Sequence, residues 1–330
     1  MRLNLSATKN FPNLSLIAGE SYITLPLLIT QRSELNSIMN RHTRGTIEII
    51  ISAICFGSLS VFARVGYKSG FTAVSILSYR FLLASLLMWI IFSLFFPKLT
   101  KVSARQAAAF FLLGVISNIN TIFMFLGLER ISAPLAIMLL YTYPAMVLIL
   151  TAIFFRERAT GIKLASLTMS LSGIYLLLGA AEQRADSAGV ILVIAAALVY
   201  AIYIVMSQKI LKGVSAYTGG LYINTFAAAT ILPLHAPTLE EASNISPIGW
   251  LAIIMLAVVG TFVARLLLLA GVEKIGAGEA SLLSTLEPLV TVALAYLILG
   301  EKLTLGQLGG GALILAGVLS LQLHNRWRKE

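Results

Sequence analysis

One carboxylate in this chain stands inside a long apolar run and directly before a proline: Glu287, in SLLSTLEPLVTVALAYLILG. An ionisable group among apolar residues is costly, so it must face a partner or a polar cavity. There it would bind a cationic group or take up and release a proton. The plainer alternative is a carboxyl locked in a structural pair or kept neutral by burial. Pro288 has no N–H, so in a helix the carbonyl of Ser284 would lose its usual partner. Pro144 would do the same to Leu140, beside Tyr143. Arg265 adds a fixed cation that could pair with Glu287, receive a carboxylate or extend toward an interface. Arg80 is expected to be a structural charge, bonding backbone carbonyls at a kink. Tyr200 and Tyr203, with Phe56, Tyr141 and Phe123, offer ring faces to a cation or a flat apolar solute, or simply pack. Asn118 and Asn120 offer amides to a solute or to a neighbouring helix. The candidate binding set is therefore Glu287, Tyr143, Arg265, Tyr203, Tyr200, Asn118 and Asn120, with Pro144 and Pro288 as helix kinks.

Bond-breaking chemistry has little to work with. The chain contains no GxxxxGK[ST] phosphate loop, no HExxH pair and no GxSxG elbow. The stretch Gly276-Ala277-Gly278 lacks the third glycine and the flanking strand of a dinucleotide site. One cysteine, Cys55, excludes an internal disulfide and a cysteine-based zinc site. His42, His235 and His324 are far apart, so a histidine metal cluster is not expected. No enzyme activity, cofactor or metal is expected, and the groups above are expected to bind rather than react.

The elements that must position these groups follow from composition. Hydrophobic residues make up 58% of the 330-residue chain and charged residues 12%. A soluble domain carries roughly twice that charge, so the chain is an integral membrane protein. A helix crossing about 30 Å of hydrocarbon needs about 20 apolar residues. Ten such runs are legible, over 46–66, 72–96, 104–128, 132–155, 160–180, 188–208, 215–235, 247–270, 277–299 and 304–323. Each is continuously apolar, unlike the short alternating strands of a membrane barrel. By helical rise, Glu287 falls roughly 15 Å and Arg265 about 8 Å from the same membrane face.

With the N-terminus placed inside, fifteen Lys and Arg fall on inner segments and four on outer loops. This bias predicts a multi-pass protein of the cell's inner (plasma) membrane with both termini cytoplasmic. It also accounts for most of the net charge of +10 without nucleic acid as a partner. Residues 1–45 are mixed and polar. They read as a flexible cytoplasmic arm, or as an over-extended start with Met39 the natural one.

The chain repeats itself. Residues 127–160 and 271–304 match at ten of 34 positions without a gap, including Gly127/Gly271, Glu129/Glu273, Pro144/Pro288 and Glu157/Glu301. The same spacing pairs Tyr143 with Glu287, Thr121 with Arg265 and Asn224 with Arg80. Helices 1–5 and 6–10 are thus two copies of one unit, over 46–180 and 188–323, followed by a basic tail over 324–330. Five is odd, so the second copy enters the bilayer from the opposite side. Inverted repeats predict a carrier with its site near the midplane between the halves. A channel or lipid scramblase is not forbidden by the pattern.

The repeat ends carry a family resemblance. The mid-helix proline, the Gly-Glu-Lys of GEKLT or Arg-Glu-Arg of RERAT, the Gly-rich GQLGGGALILAGVLSL and the helix 2 segment SYRFLLASLLM resemble the EamA-type domain of the drug/metabolite transporter superfamily. The resemblance covers about 45–323. It implies ten helices in two inverted repeats and export or exchange of amino acids, metabolites or drug-like solutes. One carboxylate with Arg and Tyr partners suits an amino acid or related charged metabolite. A lipophilic cation is the alternative. The expected partners are a small-molecule solute, the lipid bilayer and a coupling proton, with the protein a monomer or homodimer.

Overall fold

The ten apolar runs become helices. Their positions come from a computed structural model describing residues 41–178, 186–234, 236–238, 243, 245–299 and 304–327. Residues 1–40 of the expected arm and 328–330 of the tail lie outside the described residues. Helices α1 (Arg41–Lys68), α2 (Ala73–Phe95), α3 (Ala104–Leu128) and α4 (Ala133–Phe155, interrupted) are followed by α5 (Gly161–Leu178) and α6 (Ser187–Ile210). Then come α7 (Ala216–Ile231), α8 (Pro247–Ile275), α9 (Ala277–Leu299) and α10 (Leu305–Trp327). Among the described residues nine of these are long and apolar enough to cross a membrane. The exception is α7, whose 16 residues span about 24 Å. It stops at Ile231, short of the expected 235, because Pro233 has no N–H to continue the helical hydrogen bonds.

Side-chain caps start many of these helices. Thr72 with Ser75 and Ser103 with Gln106 form reciprocal capping boxes at α2 and α3. Asp186, Ser215 and Ser246 cap α6, α7 and α8. Gly276, at φ 82°, turns the chain from α8 into α9 through a region that a side chain would strain. The outer girdle is apolar: Leu94, Phe95, Phe154 and Leu297 are each about 70% exposed. On a water-soluble surface such a band would aggregate, whereas lipid accepts it.

Helices α5 and α10 pair through small residues. A Cβ on Gly310 would come within 2.5 Å of the Gly173 carbonyl oxygen and 2.6 Å of the Leu177 amide nitrogen. Only glycine allows this approach, as in other small-residue contacts between membrane helices. Over the described residues the chain is an all-α polytopic protein of two inverted five-helix repeats.

Four helices depart from regularity at mid-depth. α4 breaks at Tyr141–Thr142 and resumes at Tyr143. α9 tightens into a 3-10 turn at Ser284–Leu286 and resumes at Glu287. Each proline thus opens the second half of its helix, where its missing N–H costs nothing. The Ser284 carbonyl is not left free, contrary to the sequence argument. It accepts from the Glu287 N–H in the 3-10 turn. α1 is interrupted at Ser58, whose hydroxyl donates to the Cys55 carbonyl at 2.7 Å. α8 widens into a π segment at Val258–Val263, where the Thr261 hydroxyl donates to the Leu256 carbonyl five residues back. Gly260 of that segment packs against Leu59, just past the α1 interruption.

Candidate functional site

The breaks in α4 and α9 place Tyr141, Tyr143 and Glu287 on the wall of a cavity of about 390 Å³. Its walls come from α1 to α5 of the first repeat and α6, α8 and α9 of the second. It runs from Glu287 at mid-depth toward the end where α1 finishes, which Tyr67, Ile76, Phe125 and Ile137 line. Glu287 opens a half-helix, so its carboxylate lies at a positive dipole end. Tyr143 holds the corresponding place in α4.

The carboxylate sits among phenols. Tyr141 lines the cavity together with Glu287. Tyr141 and Tyr143 have ring centroids 6.0 Å apart, Tyr143 and Tyr200 4.7 Å, and Tyr200 and Tyr203 6.0 Å. The Tyr203 hydroxyl is buried without a hydrogen-bond partner. All four tyrosines line the cavity. A ring-lined pocket around one carboxylate can hold an ammonium by charge and by ring faces together.

The arginines occupy the same cavity. Sequence placed Arg265 about 8 Å from the membrane face. The helix instead runs on to Ile275, so Arg265 and Glu287 are each ten residues, about 15 Å, from the same end. Despite this shared depth they form no ion pair within 4 Å. Ion pairs do form elsewhere among the described residues, as at Arg130–Asp186, Lys163–Glu157 and Lys274–Glu48. Arg265 is 9% exposed. Its Nη2 donates to Ser117 Oγ at 3.2 Å, and its Nη1 is buried with no partner. Arg80 also lines the cavity, and its Nε is likewise buried without a partner. The expected bonds from Arg80 to kink carbonyls are not among its contacts. Its guanidinium instead covers the Phe81 ring.

The two candidate asparagines part ways. Asn120 lines the cavity and donates to the Ala196 carbonyl at 2.9 Å. Asn118 faces α7, donating to the Ala227 carbonyl at 2.8 Å and to Thr230 Oγ1 at 2.6 Å. It does not line the cavity, because two residues along a helix is about 200° of rotation. Phe56 and Pro288 line the wall, whereas Phe123 does not. Ser117, Thr291 and Ser60 are lining groups that the sequence analysis missed. Thr291 has a visible task, donating to the Gly57 carbonyl of α1 at 2.9 Å. Ser117 lies one helical turn before Thr121, the repeat mate of Arg265, which was the available signal.

At the opposite end, where α1 begins, the repeats are tied together. Lys274 of α8 reaches both carboxylate oxygens of Glu48 in α1 at 2.7 Å. Gln208 of α6 accepts from the Ala277 N–H at 2.7 Å and donates to Glu157 at 3.2 Å. Within the second repeat, Glu279 accepts from Gln322 at 3.3 Å. The cavity thus approaches one end of the bundle, and a polar latch crosses the other.

Known proteins resemble this chain along nearly its whole length. The model of the EamA-like transporter family matches residues 43–179 and again 187–322. The chain is 29% identical over 311 residues to a Bacillus subtilis (strain 168) protein named "Uncharacterized transporter YcbK", covering 87% of this chain and 96% of that one. It is 32% identical over 275 residues to an Archaeoglobus fulgidus "Uncharacterized transporter", covering 83% and 95%. It is 26% identical over 299 residues to the Salmonella typhimurium "Uncharacterized inner membrane transporter YicL", covering 88% and 99%. One solved chain ("Crystal structure of protein") superposes with a TM-score of 0.73 at 17% identity over 88% of this chain and all of that one, a likeness of fold. Two family matches that together span nearly all the helices, in register with the internal repeat, place this chain in the EamA-like transporter family.

Proposed function

We propose that the protein is a secondary active transporter that exports or exchanges a small charged organic solute, an amino acid or related metabolite, by alternating access. The observation that carries this reading is the mid-depth cavity between the repeats, with Glu287 and Arg265 on its wall and unpaired with each other. Two buried opposite charges left apart leave room for a solute that pairs with both. An ammonium would meet Glu287 and its tyrosines, and a carboxylate would meet Arg265. The repeats supply the motion: two halves of similar structure can pack in two mirror-related ways, each opening the cavity to one side. The Lys274–Glu48 and Gln208–Glu157 contacts close one side in the present packing. The basic bias of the loops supports assigning that side, and both termini, to the cytoplasm of a cell's inner (plasma) membrane. Exchange of a proton at Glu287 would couple solute flow to a proton gradient.

The tyrosines around Glu287 favour a second reading, export of a lipophilic cation held by ring faces. Reconstitution separates the readings. Purified protein in proteoliposomes should give saturable flux with competition among related solutes. Glu287→Gln should insert normally and lose flux. Normal flux by that variant would remove Glu287 from the mechanism, and unsaturable flux would favour a pore or scramblase. Movement of protons with the solute should appear as a change in lumenal pH, and its absence points to uniport or solute exchange.

A further inference from the structure

The ionisable wall of the cavity is unbalanced. Three charged side chains line it, Arg80, Arg265 and Glu287, giving two cations to one carboxylate. Both guanidinium carbons stand over the same Phe81 ring, at 4.7 Å for Arg80 and 5.3 Å for Arg265, which keeps them no more than about 10 Å apart. Phe81 is 1% exposed, so the ring they share is fixed by packing. Neither arginine has a carboxylate within ion-pair distance among the described residues. Each keeps one buried N–H without an acceptor, Nε on Arg80 and Nη1 on Arg265. Like charges held together with orphaned donors are expensive in a low-dielectric interior, and the expense is relieved when an anion fills the space.

We propose that Arg80 and Arg265 form a two-guanidinium cradle for a carboxylate, and that the transported solute is an organic acid of net charge −1. The proposal rests on the carrier reading above and narrows its solute class. It also moves Arg80 from the structural role read from the sequence into the binding set. With Glu287 ionised, the wall carries one net positive charge. A zwitterion would leave that charge in place, and a cation would raise it. An acid of charge −1 cancels it, either as a single carboxylate across both arginines or as two carboxylates with an ammonium at Glu287. Guanidinium suits the task because its planar fork donates two parallel N–H bonds to one carboxylate.

Matched acid and amide pairs test this directly. Thermal stabilisation of the full-length protein in detergent is measured with aspartate against asparagine, glutamate against glutamine, and lactate against lactamide, with choline as a cationic control. At least one acid should bind about thirtyfold or more tightly than its amide, which would leave a guanidinium unpaired. Arg80→Gln should collapse that preference, while Arg80→Lys keeps part of it through the retained charge. A purely structural Arg80 would shift the unliganded melting temperature without changing the acid-to-amide ratio. Equal binding of acid and amide, stabilisation by choline alone, or no response to any acid overturns the proposal. An unaltered ratio in Arg80→Gln removes Arg80 from the cradle. The carrier reading is judged separately, by saturable flux in proteoliposomes, and survives if a non-acidic solute is carried. If Arg80→Gln does not fold, the wild-type ratio and the Lys variant decide.

Discussion

Lys274→Met should loosen the latched end of the bundle. In the structure Lys274 holds both Glu48 oxygens at 2.7 Å, with side-chain exposures of 19% and 17%. An exposed ion pair is worth about 0–1 kcal/mol, and removing one partner of a fully buried pair costs about 3–5 kcal/mol. This pair lies between those limits, so about 2 kcal/mol is expected, or roughly thirtyfold in the balance between latched and unlatched packings. Because the pair joins α1 of the first repeat to α8 of the second, that energy is lost whenever the halves separate there. Gly278 reports on the separation. It is buried in the first turn of α9, and a Cβ there would make only ordinary contacts, at 3.4 Å to Leu148 and 3.6 Å to Glu157. In a Cys55→Ala background, Gly278→Cys should react slowly with a water-soluble maleimide. Adding Lys274→Met should accelerate alkylation about thirtyfold. Glu48→Gln should do the same, and the double variant no more, since both remove one interaction. A rate within about twofold of the parent would refute the claim that this ion pair holds that end shut.

Three further outcomes rest on named contacts. Asn118→Leu should lower the melting temperature through loss of its bonds to Ala227 and Thr230, by roughly 0.6–1.7 kcal/mol, and leave the KM for transport unchanged. A raised KM with unchanged stability would return Asn118 to the binding set. Gly310→Val should cost about 1–3 kcal/mol or block assembly, because the backbone of Gly173 and Leu177 cannot yield to a side chain; equal melting temperatures would contradict the packing. Thr291→Val should destabilise by about 0.5–1.5 kcal/mol through loss of its bond to the Gly57 carbonyl, which a denaturation comparison in detergent would detect.

The contrast between Asn118 and Asn120 shows where sequence reasoning lost its grip. Sequence groups both with one cavity, whereas residues two apart on a regular helix point about 200° apart, and the structure turns Asn120 to the cavity and Asn118 to α7. Arg265 failed for another reason. Its depth depended on where α8 ends, and apolar periodicity does not fix an end when Glu273 and Lys274 can be satisfied by contacts such as Ala216 N–H to Glu273 and Lys274 to Glu48. Its facing was also out of reach. A π turn holds an extra residue and rotates the rest of the helix by about 100°, and nothing in VVGTFV announces the turn.

The sequence alone determined the membrane class, the helical runs, the repeat and its inversion. These follow from run length, composition and an odd helix number, and each is a property of the chain read in order. It also determined that Glu287 and Tyr143 are counterparts, because internal repetition compares one part of the chain with another. Only the tertiary structure decided that Arg80 and Arg265 share the Phe81 ring, that neither meets Glu287 within ion-pair distance, and that the latch joins α1 to α8. Those facts depend on side chains far apart in the chain, such as Phe81 and Arg265 or Glu48 and Lys274, meeting across helix interfaces. One-dimensional periodicity gives each helix a face but not a neighbour, and the neighbour decides whether a buried charge is paired or left for a solute.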